Sequence, residues 1–192
     1  MNWSALLGIA PIEVVTLGGV LLMIAEAFSK RRDDDPSRHQ GPSSELALAT
    51  AVTLFAGAVF AAAIWFVGPD KIEGAAAVQP YLIVDRFSTF VCFVLCLGGG
   101  LAALLAGGYL PEHKLDRGQF YPLLTFSTVG AMILAMSGDV LSLFLGLETM
   151  SLGVYAMTGF RRTSPRSTEA AVKYFLLGPF AAALLLYGAA LL

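Results

Sequence analysis

Long runs of apolar residues, separated by short polar stretches, recur along the whole 192-residue chain. Six of these runs are about twenty residues long, which matches a bilayer core of roughly 30 Å at a helical rise of about 1.5 Å per residue. The pattern predicts transmembrane helices at residues 9–28, 46–67, 87–109, 120–137, 140–160 and 170–192. Nearly every residue belongs to a span or a short connection. The sequence therefore predicts an all-α, polytopic transmembrane helix bundle, with residues 1–192 as a single transmembrane region.

The composition supports this class of protein, because 57% of the residues are hydrophobic and only 14% are charged. Cys92 and Cys96 lie four residues apart on one face of the third predicted helix, in apolar surroundings. A disulfide along one helix is geometrically unfavourable, so we interpret both as small packing residues. His39 and His113 lie in different loops, with no Cys or His at ligand spacing. We therefore predict no metal site.

The placement of basic residues predicts the orientation. If the N-terminus lies outside, the inner loops hold nine of the twelve Lys and Arg residues, namely Lys30, Arg31, Arg32, Arg38, Lys114, Arg117, Arg161, Arg162 and Arg166. Cytoplasmic loops of membrane proteins carry such an excess of positive charge. Both chain ends are therefore predicted to face outward, and the polar stretch 29–44 is interpreted as a flexible cytoplasmic connection.

Glu148 lies in the middle of the fifth apolar run, between Asp139 and Phe160. A charge near the bilayer midplane costs on the order of 3 kcal/mol on insertion scales, so a carboxylate there is a functional candidate. Asp139 is predicted to cap the start of this helix, where a carboxylate is favoured by the first-turn amides and the helix dipole. That cap would anchor the outer end of the helix that carries Glu148.

A polar stripe follows Glu148 at helical spacing. Steps of three and four residues place Ser151, Tyr155, Thr158 and Arg162 on the same face. The hydroxyl groups could line a hydrated half-channel that delivers protons to Glu148. They could equally form hydrogen bonds between packed helices, which is a common role of such residues in membranes. The sequence leaves both interpretations open.

Lys173 is the second unusual charge, about six positions into a helix whose start is marked by Ser167, Thr168 and Glu169. It could extend to the interface or pair with Glu169, which lies four residues earlier in the favourable order. In the functional interpretation, Lys173 is the basic member of a chain of titratable groups that reaches toward Glu148. A buried Glu–Lys pair is poised between ion-paired and neutral states, and a change of nearby charge would move a proton.

Small residues form a second stripe on the third predicted helix. Its members follow at spacings of four and three residues and are Cys92, Cys96, Gly99, Ala103 and Gly107. Such a stripe lets membrane helices pack closely. Pro179 falls inside the sixth span, where the missing N–H is expected to bend or loosen the helix.

Nucleotide and redox motifs are missing from the sequence. There is no Gly-rich dinucleotide or Walker pattern and no haem or iron–sulfur spacing. We therefore expect no cofactor on this chain and no nucleic-acid partner. Any redox chemistry coupled to the protein would be carried out by another chain.

Residues 143–155 and 167–178, which contain Glu148 and Lys173, resemble the antiporter-like membrane subunits of respiratory complex I, NADH-quinone oxidoreductase. Within that family the chain is most similar to the subunit N branch. The resemblance implies that Glu148 matches the family's glutamate on the fifth helix and Lys173 its lysine on the sixth. In the family this glutamate pairs with a lysine on the seventh helix. Proton movement through a half-channel is then coupled to quinone reduction elsewhere in the complex.

The resemblance also implies a setting for the protein. Its partners would be the lipid bilayer of the bacterial inner membrane and the other membrane subunits, with quinone, NADH, FMN and iron–sulfur clusters held by partner subunits. Family members contain further helices, so we expect this chain to be their N-terminal part. Two alternatives remain: a subunit of a multi-subunit cation/proton antiporter, and a structural membrane module in which Glu148 and Lys173 only hold helices together.

Overall fold

The computed structural model describes residues 7–28, 43–72, 78–113, 115 and 118–191. The described residues form six main α-helices: α1 (Ala10–Phe28), α2 (Ser43–Val67), α3 (Arg86–Glu112), α4 (Phe120–Met136), α5 (Val140–Thr158) and α6 (Pro165–Ala189). The predicted all-α helix bundle is confirmed. Five of these helices are long and apolar enough to cross a membrane. The exception is α4, whose 17 residues extend only about 26 Å.

Helices α1 to α4 form the interior of the molecule. α2 packs against α3 and α1, and both α1 and α3 also contact α4. The core between them includes Val15, Leu54, Cys96 and Met132, all of which are buried. α5 packs on α4, and α6 packs on α5. The molecule therefore has an enclosed four-helix part followed by two helices that are progressively more exposed.

The predicted stripe of small residues on α3 packs as expected. Cys92 and Cys96 are 1% and 0% exposed, and both are free thiols. Cys96 Sγ lies 3.5 Å from Met132 Sδ of α4. At Gly99 an added Cβ would approach Thr128 Oγ1 of α4 to 3.1 Å. The small side chains thus allow α3 to approach α4 closely, which confirms their interpretation as packing residues.

Several helix ends differ from the predicted spans, including the start of α2 at Ser43 and the end of α6 at Ala189. α6 begins at Pro165, five residues before the expected start, because proline is well suited to the first turn of a helix and the polar first turn carries no hydropathy signal. α3 continues to Glu112. α5 ends at Thr158, with Gly159 at its C-cap. The segment 29–42, most of the predicted cytoplasmic connection, lies outside the described residues.

A short extended segment covers the connection between α4 and α5. The Ile83 amide donates a hydrogen bond to the Met136 carbonyl at 2.7 Å, and the Gly138 amide donates to the Tyr81 carbonyl at 2.8 Å. Leu82 and Ser137 form an isolated antiparallel bridge. These contacts hold the α4–α5 connection, and hence the start of α5, against the segment that precedes α3.

Candidate functional site

The start of α5 is fixed by a side-chain cap. Asp139 Oδ1 accepts a hydrogen bond from the Ser142 amide at 2.7 Å, which confirms the predicted N-cap. The hydrogen bonds from Ser142 hold the pKa of the Asp139 carboxyl below its ordinary value, because they stabilise the charged form. The cap thus sets the first turn of the helix that carries Glu148.

One face of α5 lies directly against α4. A Cβ on Gly130 of α4 would meet the backbone nitrogen of Met150, and a Cβ on Gly146 would lie 2.6 Å from the backbone nitrogen of Leu134. In addition, Ser127 Oγ donates a hydrogen bond to the Met150 carbonyl at 3.0 Å. The two backbones are therefore in contact, a feature the sequence interpretation missed. The small residues on α4 and α5 could have indicated it.

Glu148 projects from the opposite side of α5. At about 100° per residue, Glu148 and Tyr155 point roughly 180° away from Gly146 and the α4 contact. The Glu148 side chain is half-buried. Its Oε1 is inaccessible to solvent and has no hydrogen-bond partner in the described part of the chain. A buried carboxylate oxygen without a partner is costly in a protein interior, so this atom marks a site where water, a proton or another side chain is required.

Tyr155 connects the polar stripe to α6. Its side chain is 8% exposed, and its ring packs edge-to-face on Tyr174 and Phe175 with centroid separations of 5.0 and 6.0 Å. The Tyr155 hydroxyl lies where a Cβ on Gly178 would stand, so glycine is required there for the close approach. The stripe on α5 therefore faces α6, and the Tyr174–Gly178 segment is part of its surroundings.

The remaining stripe residues differ in how they are engaged. Ser151 is half-buried. Thr158 Oγ1 donates a hydrogen bond to the Val154 carbonyl at 2.9 Å, and Ser167 Oγ donates to the Thr158 carbonyl at 2.8 Å. The prediction that Arg162 continues this face was wrong, because the helix ends at Thr158 and helical spacing no longer applies beyond Gly159.

Lys173 forms an ion pair on its own helix. Its Nζ lies 2.5 Å from Glu169 Oε1, and the two side chains are 69% and 63% exposed. Because α6 starts at Pro165, Lys173 is the ninth residue of the helix, about 12 Å from its start. One of the interpretations that the sequence left open, pairing with Glu169, is therefore observed. The hydrogen bonds of the described residues include none between Lys173 and Glu148.

Metal ligands do not gather around these residues. Within residues 7–28, 43–72, 78–113, 115 and 118–191, no group of three or more His, Cys, Asp or Glu side chains could hold an ion. The groups that the described residues place at this site are one carboxylate and several hydroxyl groups, which can form hydrogen bonds and exchange protons.

The helix bundle and the carboxylate inside an apolar helix define a polytopic membrane protein with an ionisable site. The sequence profile of the family described as NADH:quinone oxidoreductase/Mrp antiporter, TM, matches residues 137–192, which include α5 and α6. NADH-quinone oxidoreductase subunit N 1 of Sorangium cellulosum is 70% identical over 97% of the chain. The proteins named subunit N from Myxococcus xanthus and Trichlorobacter lovleyi are each 35% identical, over 100% and 96% of the chain.

These similarities show that the chain belongs to the NADH-quinone oxidoreductase subunit N family, within the antiporter-like membrane subunits. The chain spans about a third of the length of the curated relatives, because the matched regions are 37%, 34% and 35% of the three proteins.

Proposed function

We propose that the protein acts as a membrane subunit of a proton-translocating NADH-quinone oxidoreductase and supplies part of a proton half-channel. The observation that carries this proposal is Glu148 Oε1, a buried carboxylate oxygen without a hydrogen-bond partner in the described part of the chain. It lies inside an apolar helix whose other face is in backbone contact with α4. Burying such a group costs considerable free energy, and the group has no structural use on its own helix. Ionisable residues that are buried in membrane helices in this way are typical of functional sites.

The half-channel runs along the face that α5 presents to α6. Ser151, Tyr155 and Thr158 follow Glu148 toward the end of α5, and hydroxyl groups at this spacing can pass protons through intervening water. Tyr155 occupies the contact between the two helices. Because charging a group inside a bilayer is expensive, its protonation state responds to nearby charge and hydration. That response couples proton movement to changes elsewhere in the assembly.

Lys173 is the second group in this proposal, with a smaller role. Its ion pair with Glu169 holds the ammonium group in the exposed N-terminal part of α6. Breaking that pair would release a mobile positive charge on the helix that Tyr155 contacts. In this scheme Lys173 adjusts the field around the half-channel, whereas Glu148 carries the proton.

Redox chemistry belongs to other chains in this proposal. Quinone, NADH, FMN and iron–sulfur clusters are placed in partner subunits, and the partners of this chain are the other membrane subunits and the lipid bilayer. The proposed location is the bacterial inner membrane, with both ends of the chain outside, since nine of the twelve basic residues belong to the stretches that the sequence predicts to be on the inner side. The family profile also includes Mrp antiporters, but the relatives reported above are named as oxidoreductase subunits, which favours the redox-driven function.

The proposal is tested with Glu148→Gln in the full-length protein. Inverted membrane vesicles that contain the assembled complex are supplied with NADH, and the proton gradient is compared with the rate of NADH oxidation. Glutamine keeps the size and polarity of the side chain but cannot carry a proton. We expect assembly to be retained and the number of protons moved for each NADH to fall strongly.

Glu112→Gln is the matched control, because Glu112 is an exposed carboxylate at the end of α3. It should leave the proton yield unchanged. A fully assembled Glu148→Gln complex with the normal proton yield would refute the proposal. A sodium-driven proton flux that needs no NADH would instead favour the antiporter.

A further inference from the structure

The interior face of α2 carries a hydroxyl group in the middle of the four-helix part. At one end of this face, a Cβ added at Gly107 of α3 would stand 2.7 Å from the Ala47 Cβ. Two turns further along α2, a Cβ added at Gly99 would stand 3.2 Å from Leu54 Cδ1. Thr50 follows Ala47 by three residues and precedes Leu54 by four, so it shares their face. The Thr50 side chain therefore points into the bundle, and it is 0% exposed.

Helix α4 brings a second hydroxyl group to the same level. The Tyr121 hydroxyl lies 3.9 Å from the first of these two Cβ positions on α3, and Thr128 Oγ1 lies 3.1 Å from the second. Thr125 lies between Tyr121 and Thr128 at helical spacing and is 0% exposed. Thr50 and Thr125 are thus at the same depth of the bundle, on two different helices.

Small residues of α1 and α3 complete this level. Ala103 lies between the two glycines of α3 and is 0% exposed. Gly19 of α1 is buried, and a Cβ added there would lie 3.1 Å from Thr125 Cγ2. We call Gly19, Thr50, Ala103 and Thr125 the hydroxyl layer. Because all four residues are uncharged, the layer suits a small neutral polar molecule and disfavours an ion.

The two hydroxyl groups of the layer have complementary hydrogen-bonding capacity. Thr125 Oγ1 donates to the Tyr121 carbonyl at 2.9 Å, and its oxygen can still accept a hydrogen bond. Thr50 Oγ1 has no hydrogen-bond partner in the described part of the chain, whereas Thr53 on the same helix donates to the Ala49 carbonyl at 2.9 Å. A buried hydroxyl group without a partner is costly. A water molecule can accept from one group and donate to the other, so it would satisfy both.

We propose that the hydroxyl layer binds a water molecule that links α2 to α4. The water accepts the proton of the Thr50 hydroxyl group and donates one of its own protons to Thr125 Oγ1. The site lies within the core formed by α1 to α4, so it stabilises the part of the molecule on which α5 packs. The proposal is independent of the proton-transfer function of Glu148.

The test is X-ray radiolytic footprinting of the full-length protein in its assembled complex. Hydroxyl radicals formed from a bound water molecule modify side chains close to it, including those that bulk solvent does not reach. Tyr121 is the reporter, because its ring is reactive, it is 0% exposed and it lies one turn from Thr125. We expect mass spectrometry to detect modified Tyr121 in the wild-type protein. Thr50→Val has nearly the same shape without the hydroxyl group and should lose most of this modification.

Two further variants separate the hydroxyl group from the fold. Thr53→Val is the matched control on α2, because the Thr53 hydroxyl group is bonded to its own helix, and Tyr121 should be modified as in the wild type. Thr50→Ser keeps the hydroxyl group and should retain the modification. Unmodified Tyr121 in the wild type, equal modification in Thr50→Val, or loss of modification in Thr50→Ser would each overturn the proposal. A higher Tm for Thr50→Val than for the wild type would also overturn it, since valine stabilises the position of a buried hydroxyl group that has no partner.

Discussion

At the scale of single residues, the two charged side chains of the site are in very different surroundings. Glu148 Oε1 is buried without a hydrogen-bond partner among the described residues, whereas Lys173 is mostly exposed and paired with Glu169. A buried carboxylate oxygen without a partner is costly, whereas an exposed ion pair is screened by solvent and contributes little. Because their environments differ, we expect substitutions of Glu148 and of Lys173 to have different effects.

We expect Lys173→Ala to reduce proton pumping less than Glu148→Gln does. The ion pair that it removes is exposed and contributes only about 0.3–0.5 kcal/mol to stability, so the fold should be unaffected. Proton yield per NADH in inverted vesicles is the measurement. Glu169→Gln is the matched control, because it breaks the same pair and leaves the lysine in place.

The two variants separate the possible roles of Lys173. If the pair itself is what matters, both substitutions give the same small defect. If the lysine charge matters, only Lys173→Ala has an effect. A loss of pumping as large as that of Glu148→Gln would contradict our ranking of the two residues.

The sequence located these side chains but could not determine their contacts. The apolar run around Glu148 was sufficient to place it inside the bundle. The pairing of Lys173 with Glu169 was one of several possible outcomes, because snorkelling and ion pairing use the same flexible side chain. The position of Arg162 was predicted wrongly, since helical periodicity does not reveal that α5 ends at Thr158.

At the scale of elements, the contact between α4 and α5 determines which face of α5 remains available. Gly130 and Gly146 bring the two backbones together, and this packing leaves Glu148 and Tyr155 on the side toward α6. Spacing alone predicted that Glu148 and Tyr155 share a face. Spacing did not predict which helix this face of α5 contacts, because that depends on which small residues pack between α4 and α5.

Gly130→Ala should therefore destabilise the protein. An added Cβ would meet the Met150 backbone, which cannot move aside as a flexible side chain can, and overpacking of this kind costs about 1–3 kcal/mol. Alanine also favours the helix by roughly 0.5–1 kcal/mol over glycine, so the two effects oppose each other and the clash dominates. We expect a lower Tm for the solubilised protein.

Gly98→Ala provides the comparison for this experiment. Beyond its own helix backbone, no atom of the described residues lies within 4 Å of a Cβ added at Gly98, so the helical preference of alanine dominates there. Its Tm should be equal to or higher than that of the wild type. If Gly130→Ala behaves in the same way, the close contact between α4 and α5 is refuted.

At the scale of the whole molecule, successive helices run in opposite directions. The connections between them therefore lie alternately at the two ends of the helix bundle. The Tyr81–Ile83 segment pairs with residues 136–138, so the α2–α3 and α4–α5 connections lie on one side. The α5–α6 connection, with Arg161 and Arg162, must lie on the other, because α5 crosses between them. The sequence predicted this alternation from the lengths of the apolar runs. It gave no signal for the pairing around Leu82, since this pairing involves only backbone groups of a few residues.

The arrangement makes a topological prediction that can be tested with cysteine labelling. Lys71→Cys and Thr163→Cys place thiols at exposed positions on opposite sides of the molecule. An impermeant maleimide applied to intact spheroplasts should label Lys71→Cys only, because basic loops remain in the cytoplasm. Permeabilised cells should label both. The wild-type protein is the background control, since Cys92 and Cys96 are buried.

Under the proposed function, the labelling result also indicates the side from which the half-channel would open. The stripe of Ser151, Tyr155 and Thr158 leads from Glu148 toward the α5–α6 connection. If Thr163→Cys is protected in intact spheroplasts, this connection is cytoplasmic, and the proposed half-channel would open to Glu148 from the inside. Labelling of Thr163→Cys from outside would contradict the predicted orientation. The same stripe would then open to the exterior and serve proton release.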